Sequence, residues 1–392
     1  MVTGQAFTVI QRRIQSHILA MATQYPVVVL SGPRQAGKTT LAQQTFPNHQ
    51  YILLEDLDVR EFARSDPKTF LAQFKTGVIL DEAQNVPELF SYLQGIVDRD
   101  RIPGKFILTG SQHFLMIEKI TQSLAGRAAV IQMLPLSYEE LAQKQAPSDI
   151  WSMIWKGFYP GIYEHNLDVT KWHQFYFNTY VERDVRLLKH IQDLSTLHKF
   201  VRLCAGRIGQ LINLSSLGAD CGINHETVRS WLSVLEASFI ITMVQPHHAN
   251  FNKRLTKQSK LYFNDTGLAC YLLGIDTPEK LDAHHHMRGP LFENYVGIEI
   301  IKTALNKGKE PHLYFWRDHH GHEVDFIIEH GTNLIPIEVK ASGTITSDFF
   351  KGLTYFQNLS GINHGFLVYT GDLSQQRAQC RLLNWKELST IV

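Results

Sequence analysis

Short apolar runs recur along the first third of the chain: Val27–Leu30, Tyr51–Leu54, Val78–Leu80, Phe106–Leu108 and Ala129–Leu134. Runs this short and this apolar read as strands buried on both faces. Helical patterns separate most of them, so a parallel sheet with crossovers is expected, closed by Pro135. Residues 8–24 read as an amphipathic lead-in helix. From 136 to about 210 the pattern is helical and includes the aromatic-rich stretch Trp172–Val181. From about 290 a helix (Pro290–Asn306) precedes three short strands, Leu313–Arg317, Glu323–Ile328 and Leu334–Lys340. A helix (Asp348–Gln357) and a strand (Gly365–Tyr369) follow. Segment 247–288 reads as a connector rich in Asn, His and Lys, with a turn signal at Asn264-Asp265-Thr266-Gly267. These shifts divide the chain into a sheet core (1–135), a helical lid or linker (136–205), a middle module with its connector (206–288) and a C-terminal α/β unit (289–392).

The length of 392 residues fits two or three domains. Hydrophobic residues make up 44% and charged residues 19%, enough for more than one core. The net charge of +1 excludes a polycation, so any nucleic-acid surface must be a local patch. The four cysteines, Cys204, Cys221, Cys270 and Cys380, form no CxxC pair, which argues against a zinc ribbon or a disulfide framework. A reducing cytoplasmic location is expected, without a signal peptide or a membrane span.

Candidate chemistry begins at Gly32-Pro33-Arg34-Gln35-Ala36-Gly37-Lys38-Thr39, which matches G-x-x-x-x-G-K-[ST]. It follows an apolar run and opens a helix, Thr39–Thr45, as a phosphate loop requires. Gly32 and Gly37 let the loop close, so that backbone N–H groups up to Thr40 and the helix N-terminus face phosphate oxygens. Lys38 is expected to reach the β/γ-phosphates and Thr39 to ligate Mg²⁺. A second motif, Val78-Ile79-Leu80-Asp81-Glu82, ends a buried strand in two carboxylates. Asp81 is placed to hold the magnesium and Glu82 to polarise the attacking water. Phe106–Leu108 ends in Thr109-Gly110-Ser111, where Thr109 or Ser111 can sense the γ-phosphate. ATP and Mg²⁺ are therefore the expected ligands. Arg127, before the fifth run, stands where AAA-type ATPases place a trans-acting arginine finger, which would require a homo-oligomer. Arg183 or Arg186 is a candidate second sensor.

Leu211–Leu235 carries a helix–turn–helix pattern. Ser215 or Ser216 is expected to cap one helix, Gly222 to turn and Asn224 to cap the next. Ile223, Val228, Trp231, Leu232 and Leu235 fall on one face, leaving His225, Glu226, Thr227, Arg229 and Ser230 outward. The pattern suggests a winged helix able to meet double-stranded DNA. Lys253, Arg254, Lys257 and Lys260 downstream form a more basic patch. Trp172, Phe175, Tyr176 and Tyr180 share a helical spacing expected of a core.

Near the C-terminus the order is helix-Glu293, strand-Asp325, strand-Glu338-x-Lys340. That is the order of a restriction-endonuclease-like PD-(D/E)xK core. Asp325 and Glu338 would hold a second Mg²⁺ and Lys340, on the same strand face as Glu338, would orient water. His284–His286 and the trio His319, His320 and His322 have no ligand spacing and read as solvent-exposed.

Taken together, the chain resembles a prokaryotic family of AAA-like P-loop ATPases joined to a C-terminal domain of unknown function with a restriction-nuclease-like core. The stretches that carry the resemblance are Gly32–Leu41, Val78–Gln84, Ile107–Gln112, Ser123–Arg127, Leu134–Leu141, Tyr180–Arg186, Lys260–Leu268, Phe292–Val296, Glu323–Ile328 and Ile337–Ser342. The resemblance implies an AAA-like α/β sheet with a helical lid, a winged helix and the nuclease-like end, with its acids intact. Three functions are compatible with it. One is an ATPase coupling nucleotide state to a DNA-associated C-terminal module. Another is a nucleotide-switched scaffold whose nuclease-like core only binds. The last is an ATP-dependent nuclease.

Overall fold

The computed structural model describes residues 9–111, 123–144, 146–181, 193–247, 257–283, 285–377 and 380–392. Arg183, Arg186, Lys253, Arg254, His284 and Gln112 lie outside the described residues.

The N-terminal sheet has five parallel strands: β1 (Val27–Ser31), β2 (Gln50–Leu53), β3 (Val78–Asp81), β4 (Phe106–Gly110) and β5 (Ala128–Gln132). Their order is β2-β3-β4-β1-β5. Alternation within β1 explains why it is apolar throughout. Val27 and Val29 face one core with α3 (Leu57–Ser65), α4 (Pro67–Ala72) and α5 (Leu89–Arg99). Val28 and Leu30 face the other, with α1 (Gln15–Ala22) and α2 (Lys38–Thr45). The lead-in helix is shorter than expected. It begins at Gln15, because the Arg13 backbone N–H donates to the Glu140 side chain, 2.8 Å away, rather than into a helical turn.

A helical layer follows: α6 (Tyr138–Ala142), α7 (Ile150–Lys156), α8 (Pro160–Glu164), α9 (Val169–Tyr176), a wide π-type turn (Phe177–Val181) and α10 (Leu194–Ala205). Trp172 and Tyr176 stack at 5.1 Å and are buried. Phe175 is not core: it is 62% exposed, because it lies on the outer side of α9. Next come α11 (Leu214–Cys221) and α12 (His225–Ala237), joined at Gly222 in the left-handed region (φ 76°). Asn213, rather than Ser215 or Ser216, caps α11 by accepting from the Ser216 N–H; Asn224 caps α12 as expected. Val228, Trp231, Leu232 and Leu235 are buried, while His225, Glu226 and Arg229 are exposed.

Residues 257–283 of the segment read as a connector are structured. They supply β7 (Lys260–Phe263), α13 (Thr266–Leu272) and α14 (Pro278–Ala283). β7 pairs antiparallel with β6 (Ile241–Pro246), and β6 pairs parallel with β8 (Leu313–Arg317). The second sheet therefore has eight strands, adding β9 (Glu323–His330), β10 (Asn333–Lys340), β11 (Phe366–Tyr369), β12 (Gln375–Gln376) and β13 (Arg381–Asn384). Their order is β12-β13-β11-β10-β9-β8-β6-β7. It runs across position 288/289, where the sequence pattern changes. The long helix α15 (His285–Asn306) lies against this sheet, and α16 (Lys351–Ser360) packs on β9 and β10. One continuous core links Leu134, the helical layer, α12, α15 and Trp385.

Phe326 sits where α15, β7 and β9 meet. It is fully buried, its ring centroid 5.4 Å from that of Tyr262, and a Cβ at Gly297 would come within 2.6 Å of it. Phe326→Ala should destabilise the chain by about 3–5 kcal/mol through the cavity it leaves. Urea unfolding measures this, and a loss under about 1 kcal/mol would contradict the seam.

Candidate functional site

The phosphate loop runs from the end of β1 into α2. Gly37 precedes the helix at φ 91°, a left-handed value suited to glycine. A Cβ on Gly32 would lie 2.0 Å from the Met133 carbonyl oxygen, so only glycine lets the loop pass the end of β5. Lys38 is buried and its Nζ donates to the loop carbonyls of Gly32 (2.9 Å) and Pro33 (2.7 Å).

The strand order puts β4 between β1 and β3, so three strand ends converge. Thr39 Oγ1 donates to Asp81, with both carboxylate oxygens at 2.9–3.1 Å. Thr109 Oγ1 donates to Asp81 and accepts from the Glu82 N–H at 3.3 Å. Ser111 Oγ donates to Glu82 Oε2 at 3.2 Å, and Gln84 Nε2 donates to the same oxygen. Glu82 stands at φ 54°, a strained value for a non-glycine residue, which turns its carboxylate out of the strand. The two motifs and the strand-end hydroxyls thus meet as one cluster. Its donors fit Mg²⁺, since a hydroxyl and a buried carboxylate lie side by side at the head of α2.

Three contributors were not apparent in the sequence. Tyr51 OH donates to Asp81 Oδ2 at 2.8 Å; burial first, and then this bond, push the phenol well above its usual range. Tyr180, in the π-type turn, accepts from Gln35 Nε2 at 3.0 Å and its ring lies 5.5 Å from the Arg34 guanidinium. The helical layer therefore touches the phosphate loop directly. Arg12 is the third. It is 6% exposed and donates Nη1 to the Ala36 carbonyl (2.7 Å), Nη2 to the Leu134 carbonyl (2.7 Å) and Nε to Glu140 (3.1 Å). Beside Gly37 and Thr40, a narrow cleft is lined by Val9, Ile10, Leu41 and Leu136 together with Arg12, Gln44 and Glu164.

Arg127 is fastened within its own chain. Its guanidinium holds Asp98 of α5 through two bonds, at 2.5 and 3.0 Å.

In the C-terminal unit the β9/β10 register pairs Phe326 with Ile337, which sets Asp325 opposite Glu338. Asp325 accepts from the Val339 N–H (2.8 Å), and Lys340 donates to Glu338 Oε1 (2.6 Å). Glu338 Oε2 is buried with no hydrogen-bond partner. Burial, then the Asp325 charge, raise the Glu338 carboxyl above its usual range, with Lys340 opposing. The four predicted residues do gather, but with an unpredicted fifth. Lys260, read as part of a surface patch, is 1% exposed; its place on β7 turns it inward. Its Nζ lies 2.9 Å from Glu293 and pairs also with Glu323, while Tyr262 OH donates to Glu293 at 2.6 Å. Burial disfavours the Lys260 charge, yet Glu293, Asp325 and Glu323 outweigh it and lift its pKa well above the usual value. This second ammonium, buried on Glu293 and Glu323, adds to Lys340 and disfavours a divalent cation beside them.

His322 is tied to buried Asp318 through Nδ1 (3.1 Å) and stacks on Tyr355 at 3.8 Å. Among the described residues no three His, Cys, Asp or Glu side chains form a metal-holding group, and no helix is long and apolar enough to cross a membrane.

Residues 24–142 match the family model described as an AAA domain. Residues 147–279 and 288–388 match two described as domains of unknown function, DUF8612 and DUF4143. Among solved structures, the Walker-type ATPase PABY2304 of Pyrococcus abyssi aligns with 67% of this chain and 96% of its own, at 16% identity and a TM-score of 0.38. AMPPCP-bound DnaA from Aquifex aeolicus aligns with 57% and 85%, at 13% identity and a TM-score of 0.29. Likenesses that weak bear on nothing further. The "Uncharacterized protein" of Haemophilus influenzae is 23% identical over 349 residues, covering 80% of this chain and 82% of that protein. "Uncharacterized protein Rv2008c" of Mycobacterium tuberculosis is 30% identical over 324 residues, 81% of this chain and 71% of its own. On that identity and coverage the chain belongs to the same family as the Rv2008c protein, with an AAA domain at residues 24–142.

Proposed function

We propose that this protein binds and hydrolyses ATP and transmits its nucleotide state to the C-terminal unit. One observation carries the coupling. A buried polar chain begins at the Ala36 carbonyl of the phosphate loop and reaches Glu140 through Arg12. The Ser137 N–H donates to the same Glu140 carboxylate at 2.8 Å, and the adjacent Tyr138 N–H donates to Glu299 of α15 at 2.7 Å. Lys302 closes the far end, donating to Glu299 and to the Leu136 carbonyl, both at 2.9 Å. Phosphate entering the loop draws Lys38 off the Gly32 and Pro33 carbonyls, and a loop that moves takes Ala36 with it.

In the reaction, loop N–H groups and Lys38 neutralise the β/γ-phosphates. Thr39 and Asp81 would hold Mg²⁺, which supplies charge neutralisation on the phosphate oxygens. Glu82 accepts the proton of the attacking water, and Thr109 and Ser111 hold Glu82 in place. Arg127 acts on a neighbouring subunit only after leaving Asp98.

Exposed His225 and Arg229 on α12 offer a local surface for double-stranded DNA in a winged-helix arrangement. A second reading, a nucleotide-switched scaffold, is favoured by Lys260 inside the acid cluster.

Mg²⁺-dependent ATP hydrolysis, with and without double-stranded DNA, tests the proposal. Lys38→Ala should abolish turnover, and unchanged turnover would sink it. Glu82→Gln should lower kcat by at least about 100-fold while ATP still binds. Stimulation by DNA supports the DNA-associated reading; slow turnover indifferent to DNA favours the scaffold. Arg12→Met leaves the buried Glu140 carboxylate without its counter-charge and should cost about 3–5 kcal/mol of stability, part of it recovered in Arg12→Met/Glu140→Gln, whose amide oxygen still accepts a backbone N–H. Thermal unfolding of the wild type and both variants checks this, and a double variant no more stable than Arg12→Met would contradict the pairing.

A further inference from the structure

We infer that Lys260 is the resident cation of the C-terminal acid cluster, so that β7 closes this cluster to divalent metal. Its ammonium sits on the Glu293 and Glu323 side of the cluster whose order Glu293, Asp325, Glu338, Lys340 anticipates Mg²⁺.

Three observations carry this. Lys260 and Tyr262 alternate on β7, share one strand face, and both bond to Glu293 Oε1. Lys260 Nζ pairs at the same time with Glu323, two residues before Asp325 on β9. β7 is also held down from behind. The Gly209 N–H donates to the Leu261 carbonyl and the Ile212 N–H to the Ser259 carbonyl, both at 2.9 Å. Gly209 stands at φ 71°, where a Cβ would come 3.2 Å from Glu293 Oε2, so the segment before α11 presses on the same carboxylate. The lysine is therefore embedded between two parts of the fold rather than draped over a cleft. A fixed ammonium between Glu293 and Glu323 repels a second cation nearby, while the Val339 N–H and Lys340 already occupy Asp325 Oδ2 and Glu338 Oε1. On this account the cluster fastens the β6/β7 pair to the C-terminal strands. Metal enters only if β7 withdraws.

The test counts Mn²⁺ bound to the full-length protein without nucleotide, by electron paramagnetic resonance of the free ion. The wild type and Asp325→Asn should bind equal amounts, because any Mn²⁺ on the chain sits elsewhere, such as near Asp81. Lys260→Met should bind one further Mn²⁺ per chain, lost again in Lys260→Met/Asp325→Asn. Lys260→Arg should bind no more than the wild type. A wild-type site that disappears in Asp325→Asn overturns the inference, as does a folded Lys260→Met that gains no site. Should Lys260→Met lose its cooperative melting, the comparison of wild type with Asp325→Asn decides alone.

Discussion

A single buried guanidinium organises this molecule. Arg12 reaches the phosphate loop, the exit of β5 and the first helix of the helical layer at once. Water cannot replace these partners, because Arg12 is 6% exposed and Glu140 is fully buried. An ion pair taken out of water adds little net stability over an apolar substitute, but removing one partner alone costs several-fold more. Such a pair therefore fixes geometry rather than raising stability. Here it fixes the phosphate loop against residues 134–140.

That short stretch is the junction of the molecule. Its N-terminal side carries the Leu134 and Leu136 carbonyls, which receive Arg12 and Lys302. Glu139 is bound by Arg13 on one side and by Ser389 near the C-terminus on the other. Burial, the first effect, raises the Glu299 carboxyl, and Lys302 opposes it, so the far end of the chain of bonds is as dry as the near end. Buried networks of this kind tolerate few intermediate arrangements, because a half-made bond leaves a desolvated group without a partner. On the proposed reading, a shift at Ala36 is passed on rather than absorbed.

What the sequence disclosed follows from how local each feature is. The phosphate loop, Asp81-Glu82 and Thr109 were legible because each motif is continuous and ends a strand whose burial is written in its apolar run. Arg12 was invisible as a site residue, since its partners lie 24, 122 and 128 positions away. Tyr180, 145 positions from Gln35, escaped for the same reason. The C-terminal acids were legible in order, but their counter-charge was not. Lys260 opens a four-residue strand after a polar segment, where a lysine ordinarily faces solvent; its burial is decided by Glu293 and Glu323 on other elements. The alternation Lys260, Tyr262 was the available signal, hidden by reading the segment as a connector.

The claim that nucleotide state reaches the C-terminal unit is tested most directly by hydrogen–deuterium exchange of residues 290–306, with and without ATP, in the Glu82→Gln protein. The account predicts slower exchange of this helix when ATP is bound, and loss of that difference when Arg12 is also changed to Gln. Protection of residues 32–45 by ATP, with residues 290–306 unchanged, would contradict it.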